Sequence, residues 1–252
     1  MSGHSKWSTI KHKKGALDAK RGKIFSKLAK EIAVAARSGG DPNMNPRLRQ
    51  ILQKVKAANM PSDNVKRAIQ RGTGEIPGII YEELIYEGFA PSGVALLVEL
   101  TTDNKNRTAG EIRSIFTKQG GHIGGAGSVK HLFQRKGHII VSKEKASEDD
   151  LLAIALEAGA EDMQSNNDSY EIFTALDHFD AVTKALDQHN IKPDSAELAY
   201  LPSITVPIMN EEAAQKVLKL IELLEDHDDV QNVYANFDIP DEILSKAAAA
   251  TA

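Results

Sequence analysis

Cysteine is absent from the 252-residue chain, and aromatic residues make up only 5% of it. The lack of cysteine excludes disulfides, iron–sulfur clusters, thiolate zinc sites and a cysteine nucleophile. Long apolar runs are missing as well, since Val94 to Val98 falls far short of the ~20 residues that a membrane helix needs. The first 30 residues have no apolar core typical of a secretory signal. These absences predict a cytoplasmic protein without a membrane segment.

Charge is divided unevenly along the chain, although its formal sum is only −4. Residues 1–74, called the head below, hold 17 lysine and arginine residues against four acids, which leaves +13. Residues 137–252 hold seven bases against 24 acids, which leaves −17. Such an asymmetry is informative about binding partners rather than about fold.

Apolar residues of the head recur at helical spacing in three short stretches, which begin near Asp18, at Pro46 and at Ser62. Asn45 is typical of the position that caps a helix start, and Pro46 is typical of the first helical position. Three narrow apolar stripes can be buried only against one another, so a three-helix bundle is predicted.

The apolar period shortens to about two residues after Gly78, which indicates strands. Ala90 to Gly93 is a turn sequence that joins two of them into a hairpin. Residues 241–252 lack a periodic face and are predicted to be frayed. The predicted strands are 81–89, 94–102, 129–133, 138–141, 170–176, 196–201 and 230–237. The predicted helices are about 106–119, 179–186 and 211–225, together with one that follows a capping pattern at Ser147 and carries Leu151 to Leu156.

The strongest functional signal is a group of cations around the only tryptophan, Trp7. Clustered cations release counterions on binding a polyanion, and an aromatic ring among them can stack on an unpaired base. The alternative is a solvated charged face with Trp7 packed on the bundle. The residues predicted to bind nucleic acid here are His4, Ser5, Lys6, Trp7, Lys11, His12, Lys13, Lys14, Lys20, Arg21 and Lys23.

Two further segments carry weaker signals. The third helix adds Lys66, Arg67 and Arg71, which suit either base reading in a major groove or phosphate contact, and which are also typical of a solvated helix. A second segment follows a strand and opens a helix, so it is a candidate corner for binding an anion or a nucleic-acid backbone. A capped helix start with exposed charges explains it equally well. This candidate corner comprises Asn104, Lys105, Asn106 and Arg107.

No catalytic centre, cofactor or metal site is predicted. The eight histidines never occur at the i, i+4 spacing that places two of them on one helical face. The glycine-rich segment Gly120 to Ser128 follows a helix and precedes a strand, whereas phosphate loops run from a strand into a helix. The acidic run Glu225 to Asp229 ends a helix, where the helix dipole disfavours anions. It is interpreted as a solvated turn, with a divalent ion or a basic partner as the alternative.

Several motifs together resemble the YebC family of bacterial proteins, which includes PmpR-type regulators and the mitochondrial translational activator of cytochrome c oxidase. The resemblance extends from residue 1 to about Pro240. Its motifs are Gly3-His4-Ser5-Lys6-Trp7, Ile10-Lys11-His12, Asp18-Ala19-Lys20-Arg21-Gly22-Lys23-Ile24-Phe25, Asn45-Pro46-Arg47-Leu48-Arg49, Ala57-Ala58-Asn59-Met60-Pro61, Tyr86-Glu87-Gly88, Thr102-Asp103-Asn104 and Asn106-Arg107-Thr108.

The resemblance implies an α+β protein of three domains. These are an N-terminal three-helix bundle, a middle α/β domain completed by the C-terminal helix and strand, and an inserted ferredoxin-like domain. The expected boundaries are 1–78 with a flexible N-terminal arm, 79–133 plus 203–240, 134–202, and a frayed tail at 241–252.

The resemblance also implies a cytoplasmic, non-enzymatic DNA-binding transcriptional regulator, which we expect to be monomeric. Other family members look like translation factors that relieve ribosome stalling on proline-rich sequences, so ribosomal RNA and the ribosome are the alternative partner. An enzyme with a site between the second and third domains is a competing class without a supporting motif. A protein-interaction adaptor that uses the acidic residues 137–252, called the acidic rear below, is the other competing class.

Overall fold

The computed structural model describes residues 17–250, except for the side chains of residues 17–20, 241 and 248–250. Within this range the chain forms two compact units. The larger contains residues 17–130, 207–235 and 239–250, and the smaller contains residues 131–206 and 236–238. Helices and strands are mixed in both parts of the chain, which confirms the α+β class. The boundary expected at residue 78 lies inside the larger unit and stays a prediction.

The described part of the head forms three helices, α1 Leu17–Ala35, α2 Pro46–Ala57 and α3 Ser62–Thr73. Leu48, Ile51 and Val55 of α2 are buried with Ile32 of α1 and Ala68 of α3. All members of this apolar cluster come from residues 25–69, so the head has a core of its own. The predicted three-helix bundle is thereby confirmed.

Asn45 fixes the turn between α1 and α2, and its side chain is almost completely buried. Its Oδ1 accepts a hydrogen bond from the Leu48 amide at 3.1 Å. Its Nδ2 donates to the carbonyls of Ala35 and Gly39, both at 2.8 Å. The predicted helix cap is present, and the same side chain also serves the end of the preceding helix.

Replacing Asn45 with alanine should lower the free energy of unfolding by about 2 kcal/mol, because it removes a helix cap and leaves two carbonyls without their donor. Asn43→Ala, at an exposed position of the same turn, should change the free energy by less than about 0.5 kcal/mol. Urea denaturation of both variants measures the difference. Equal midpoints for the two variants would contradict the role given to Asn45.

The predicted hairpin consists of β1 Glu82–Phe89 and β2 Ala95–Thr102, which pair antiparallel from Glu82 opposite Thr102 to Phe89 opposite Ala95. The centre of β2 is fully buried. Helix α4, Lys105–Lys118, begins directly afterwards, and β3, His122–Ile123, returns to pair with the end of β1.

The smaller unit has a β-α-β-β-α-β order. Its elements are β4 Phe133–Ser142, α5 Glu148–Glu157, β5 Ala160–Ser165, β6 Ser169–Thr174, α6 Phe179–Gln188 and β7 Ser195–Pro202. The sheet order is β5-β6-β4-β7, and every pairing is antiparallel. This order is the ferredoxin-like arrangement, so the predicted fold of the insert is confirmed.

The strands predicted at 129–133 and 138–141 form differently from the expectation. Residues 130–132 form a short 3-10 turn, and residues 133–142 are one continuous strand. Gly137, which lies between the two predicted strands, is part of this single strand, opposite Thr174 on one side and Leu198 on the other. A Cβ atom at this position would overlap Thr174 and Phe179. The glycine therefore permits a close approach of α6 instead of reversing the chain.

The remaining elements are β8 Val206–Pro207, α7 Glu211–Glu225, β9 Val230–Ala235, β10 Phe237–Asp238 and α8 Asp241–Ala250. Strand β9 pairs antiparallel with β2 and gives the sheet order β3-β1-β2-β9. The sheet of the larger unit is thus completed by a C-terminal strand, as predicted. The short strands β8 and β10 pair with each other.

Helix α8 differs from the expected frayed tail. It packs against α7, and its Leu244 and Ala247 are buried. These two residues form a short apolar stripe at i, i+3 spacing, which the alanine-rich sequence obscures. No helix in residues 17–250 is both long and apolar enough to cross a membrane.

Candidate nucleic-acid interface

The structure describes only part of the predicted interface. His4, Ser5, Lys6, Trp7, Lys11, His12, Lys13 and Lys14 lie outside the described residues, as does the side chain of Lys20. The other predicted side chains are exposed: Arg21 and Lys23 on α1, and Lys66, Arg67 and Arg71 on α3.

Helix α3 presents a cationic face. Its Val65 and Ala68 pack into the core of the head, whereas Lys66, Arg67 and Arg71 point outward and are exposed. None of these three cations forms an ion pair with a side chain in the described part of the chain. Their charge is therefore available to a phosphate group of a ligand.

Three lysines of α1 have a different environment. Lys23, Lys27 and Lys30 lie on one face of the helix and donate hydrogen bonds to main-chain carbonyls at the C-terminal end of α7 and in the turn that follows it. The acceptors are Asp226 O at 3.1 Å for Lys23, Glu225 O at 2.6 Å for Lys27, and Asp228 O at 2.9 Å for Lys30.

The last carbonyls of a helix lack partners within the helix and lie at the negative end of its dipole, so lysine side chains stabilise them. The acidic turn Glu225 to Asp229 adds negative charge at the same place. Of the three interpretations of this turn, namely a solvated turn, a divalent-ion site and a site for a basic partner, the structure shows the basic partner. That partner is helix α1 of the same chain.

Asp229 is the centre of a buried network, with 3% of its surface exposed. Its Oδ1 accepts from Lys30 at 2.7 Å, and its Oδ2 accepts from Arg107 and Thr108, each at 2.7 Å, and from Thr102 at 3.2 Å. Burial by itself would raise the pKa of Asp229, but the hydrogen bonds from Lys30, Arg107 and Thr108 outweigh it and hold the pKa well below its usual range. The carboxylate is therefore charged at neutral pH.

The candidate corner at the start of α4 is already engaged. The Asn104 side chain caps the helix by accepting from the Arg107 amide at 3.1 Å. Arg107 also donates to Asp103 at 2.9 Å, besides its bond to Asp229, and Lys105 pairs with Glu82. Asn106 is exposed. The anion held at this corner is thus a carboxylate of the same chain.

One group of metal-type ligands occurs beside this network. The ligand atoms of Glu111, His227 and Asp229 lie within 4.8 Å of one another. His227 Nδ1 accepts from the Asp229 amide at 3.1 Å, and its Nε2 lies 2.9 Å from Glu111. Because Lys30 and Arg107 already neutralise Asp229, a cation would be repelled there, and the group carries no metal proposal.

The glycine-rich segment is held by a buried carboxylate. Glu87, with 7% of its surface exposed, accepts from the amides of Gly127 at 2.7 Å, Val129 at 2.7 Å and Lys130 at 2.8 Å. Burial would raise the pKa of Glu87, but the three backbone hydrogen bonds outweigh it and lower the pKa. These three amides are therefore already hydrogen-bonded to a side chain of the same chain.

Glu87→Gln should lower the free energy of unfolding at pH 7 by about 2 kcal/mol, because an amide cannot accept all three hydrogen bonds. The lowered pKa of Glu87 means that its contribution is present above the unfolded value of about 4.3 and is lost as the pH falls through the folded value. Denaturation measured between about pH 3 and pH 7 should consequently show that the free energy of unfolding falls less on acidification in Glu87→Gln than in the wild type. Glu157→Gln, at an exposed position, is the control and should retain the wild-type pH dependence.

Sequence reasoning missed the lysine contacts to α7 and the role of Asp229. Lys30 and Asp229 are 199 positions apart, so no local spacing connects them. Two local signals were present, namely the acidic residues at an unfavourable helix end and the i, i+4, i+7 spacing of Lys23, Lys27 and Lys30.

Comparison with known proteins gives consistent results over nearly the whole chain. Residues 5–75 match the model of the TACO1/YebC protein N-terminal domain, and residues 81–237 match the model of the TACO1/YebC second and third domain. A probable transcriptional regulatory protein of Syntrophobacter fumaroxidans is 54% identical over 249 residues, which cover 98% of this chain and 100% of the relative. One of the same name from Dictyoglomus turgidum is 56% identical over 246 residues, which cover 97% of this chain and 98% of the relative.

A solved structure is also similar. The crystal structure of a conserved hypothetical protein from Aquifex aeolicus superimposes with a TM-score of 0.85 at 50% sequence identity. The match covers 93% of this chain and 97% of that protein. The similarity thus extends over the arrangement of elements described above as well as the sequence.

Proposed function

Because the chain belongs to the TACO1/YebC family, we propose that it is a nucleic-acid-binding regulator of transcription whose head contacts the phosphate backbone. The observation that carries the proposal is the exposed cationic face of α3, which no acidic side chain in the described residues neutralises. The relatives named probable transcriptional regulatory proteins support regulation of transcription and a non-enzymatic role. We place its action in the cytoplasm, with the monomer as the binding species.

The core of the head makes α3 a stable platform for this contact. Arginine presents a planar fork that can bind a phosphate through two hydrogen bonds, and lysine acts as a point charge, so Arg67, Arg71 and Lys66 suit a row of phosphates. Phosphate contacts position a protein on a duplex without reading its sequence. Sequence preference would come from Arg67 and the neighbouring Asn64 reaching base edges, as in other recognition helices.

The alternative is a translation factor that binds ribosomal RNA and relieves stalling on proline-rich sequences. Trp7 among the N-terminal cations favours it, because aromatic side chains stack on the unpaired bases of RNA loops and not on the paired bases of a duplex. DNA and RNA binding would use the same cations of the head and would differ in the use of Trp7.

A competition experiment distinguishes the two. The full chain is bound to a labelled duplex of random sequence and challenged with genomic DNA fragments or with ribosomes, at about 0.15 M salt. A DNA-binding regulator should select particular fragments at least about 10³-fold over random duplex. A translation factor should transfer to ribosomes and co-sediment with them without preferring any fragment. Absence of binding to both would overturn the proposal.

A further inference from the structure

We infer that Lys23, Lys27 and Lys30 form a second phosphate-binding stripe, which the C-terminal end of α7 occupies until a nucleic acid displaces it. The inference rests on the proposed function, because it requires a polyanionic ligand. The three lysines lie on one face of α1, on the helix that leads from the N-terminal cations.

The end of α7 and the acidic turn after it resemble a short piece of polyanion. Three carbonyl oxygens and the Asp229 carboxylate accept from the lysines, and the exposed side chains of Asp226 and Asp228 flank them. The negative end of the α7 dipole adds to their field. Oxygen acceptors spaced along one edge, in a negative field, are what a run of phosphates also offers to lysines.

A ligand can replace the contact between the three lysines and the end of α7, because this contact is polar and partly accessible to water. The head keeps its own apolar core. It also contacts the segment from Tyr81 to Glu83, where Arg37 donates to the Tyr81 carbonyl, Arg47 pairs with Glu83, and the Lys30 ammonium lies 5.8 Å from the centre of the Tyr81 ring. When Lys30 leaves, Asp229 still accepts from Arg107, Thr108 and Thr102. The carbonyls at the end of α7 return to water.

A nucleic acid shifts this equilibrium only by binding the released lysines better than the docked ones. Counterion release supplies that difference, and each additional phosphate contact on duplex DNA steepens the salt dependence by about 0.9 in the log–log slope. Three released lysines should therefore make the slope of log affinity against log salt steeper by about 2.7.

The first test removes negative charge from the end of α7 and leaves the three lysines unchanged. The double variant Asp226→Asn/Asp228→Asn should bind a random duplex about three- to tenfold more tightly than the wild type, because the internal competitor has lost charge. Asp168→Asn/Asp187→Asn changes the net charge equally at exposed positions of the smaller unit and is the matched control. An equal gain in both variants would overturn the inference, since it would be a general charge effect.

The second test measures the displacement itself, and the lack of native cysteine allows specific labelling. Spin labels at Ser26→Cys on α1 and Lys216→Cys on α7, both exposed, report the distance between the two helices. We expect one distance without ligand and a second, longer one with saturating duplex. A bound duplex with an unchanged distance would overturn the inference and leave the proposed function intact. Failure to bind any duplex or RNA at low salt would overturn the proposed function instead.

Discussion

Replacing Lys66, Arg67 and Arg71 together with alanine should weaken binding of the full chain to duplex DNA about a hundredfold at about 0.1 M salt. The three cations are exposed on α3 and have no ion-pair partner in the described residues, so each can neutralise one phosphate. Losing three phosphate contacts should also flatten the log–log salt dependence by about 2.7. Fluorescence anisotropy at several salt concentrations measures both quantities.

The matched control removes the same charge from the acidic rear. Lys143→Ala/Lys184→Ala/Lys192→Ala replaces three exposed cations and should leave the slope unchanged. A similar loss of affinity in both variants would show that net charge, and not the α3 face, controls binding. The fold of the head should be unaffected, because the three α3 side chains lie outside its core.

Asp229→Asn should lower the free energy of unfolding by about 3 kcal/mol, which is the second large effect that we expect. The substitution removes the charge that neutralises Lys30 in a buried network and weakens the bonds from Arg107 and Thr108. Asp228→Asn, at the adjacent exposed position, should change the free energy by less than about 0.5 kcal/mol. Chemical denaturation at neutral pH measures both.

The pH dependence of the free energy of unfolding gives an independent measure of the stability that Asp229 contributes. The folded pKa of Asp229 is lowered, so its contribution is complete above the unfolded value of about 3.9 and declines as the pH falls below it. The wild type should therefore lose stability on acidification more steeply than Asp229→Asn. Parallel curves for the two proteins would mean that Lys30 and Arg107 do not stabilise the charged form.

The elements with strong local signals were predictable from the sequence. Helix α7 spans Glu211–Glu225, the range predicted, because Asn210 caps it and its apolar stripe is continuous. Ser147 likewise caps α5 by accepting from the Asp150 amide, and Asn45 caps α2. In these cases a side-chain acceptor for the first free amides coincides with the start of the apolar period, so two independent signals agree.

The elements and contacts that were not predicted correctly have identifiable physical causes. Strand β5, Ala160–Ser165, was not predicted, since it is an edge strand whose polar sequence lacks alternation. One strand was predicted as two on either side of Gly137, because sequence does not distinguish a glycine that interrupts a strand from one that admits a neighbouring side chain. The Asp229 network joins residues from α1, β2, α4 and the segment after α7, so only the tertiary fold brings it together.

The salt dependence of nucleic-acid binding by the full chain tests the central claim, that the basic head binds a phosphate backbone. If about eight phosphates are neutralised, the logarithm of the affinity for duplex DNA should fall with the logarithm of the salt concentration at a slope near −7. The slope should become shallower when the α3 cations are replaced. A slope near zero, or one that the α3 substitutions leave unchanged, would contradict the claim.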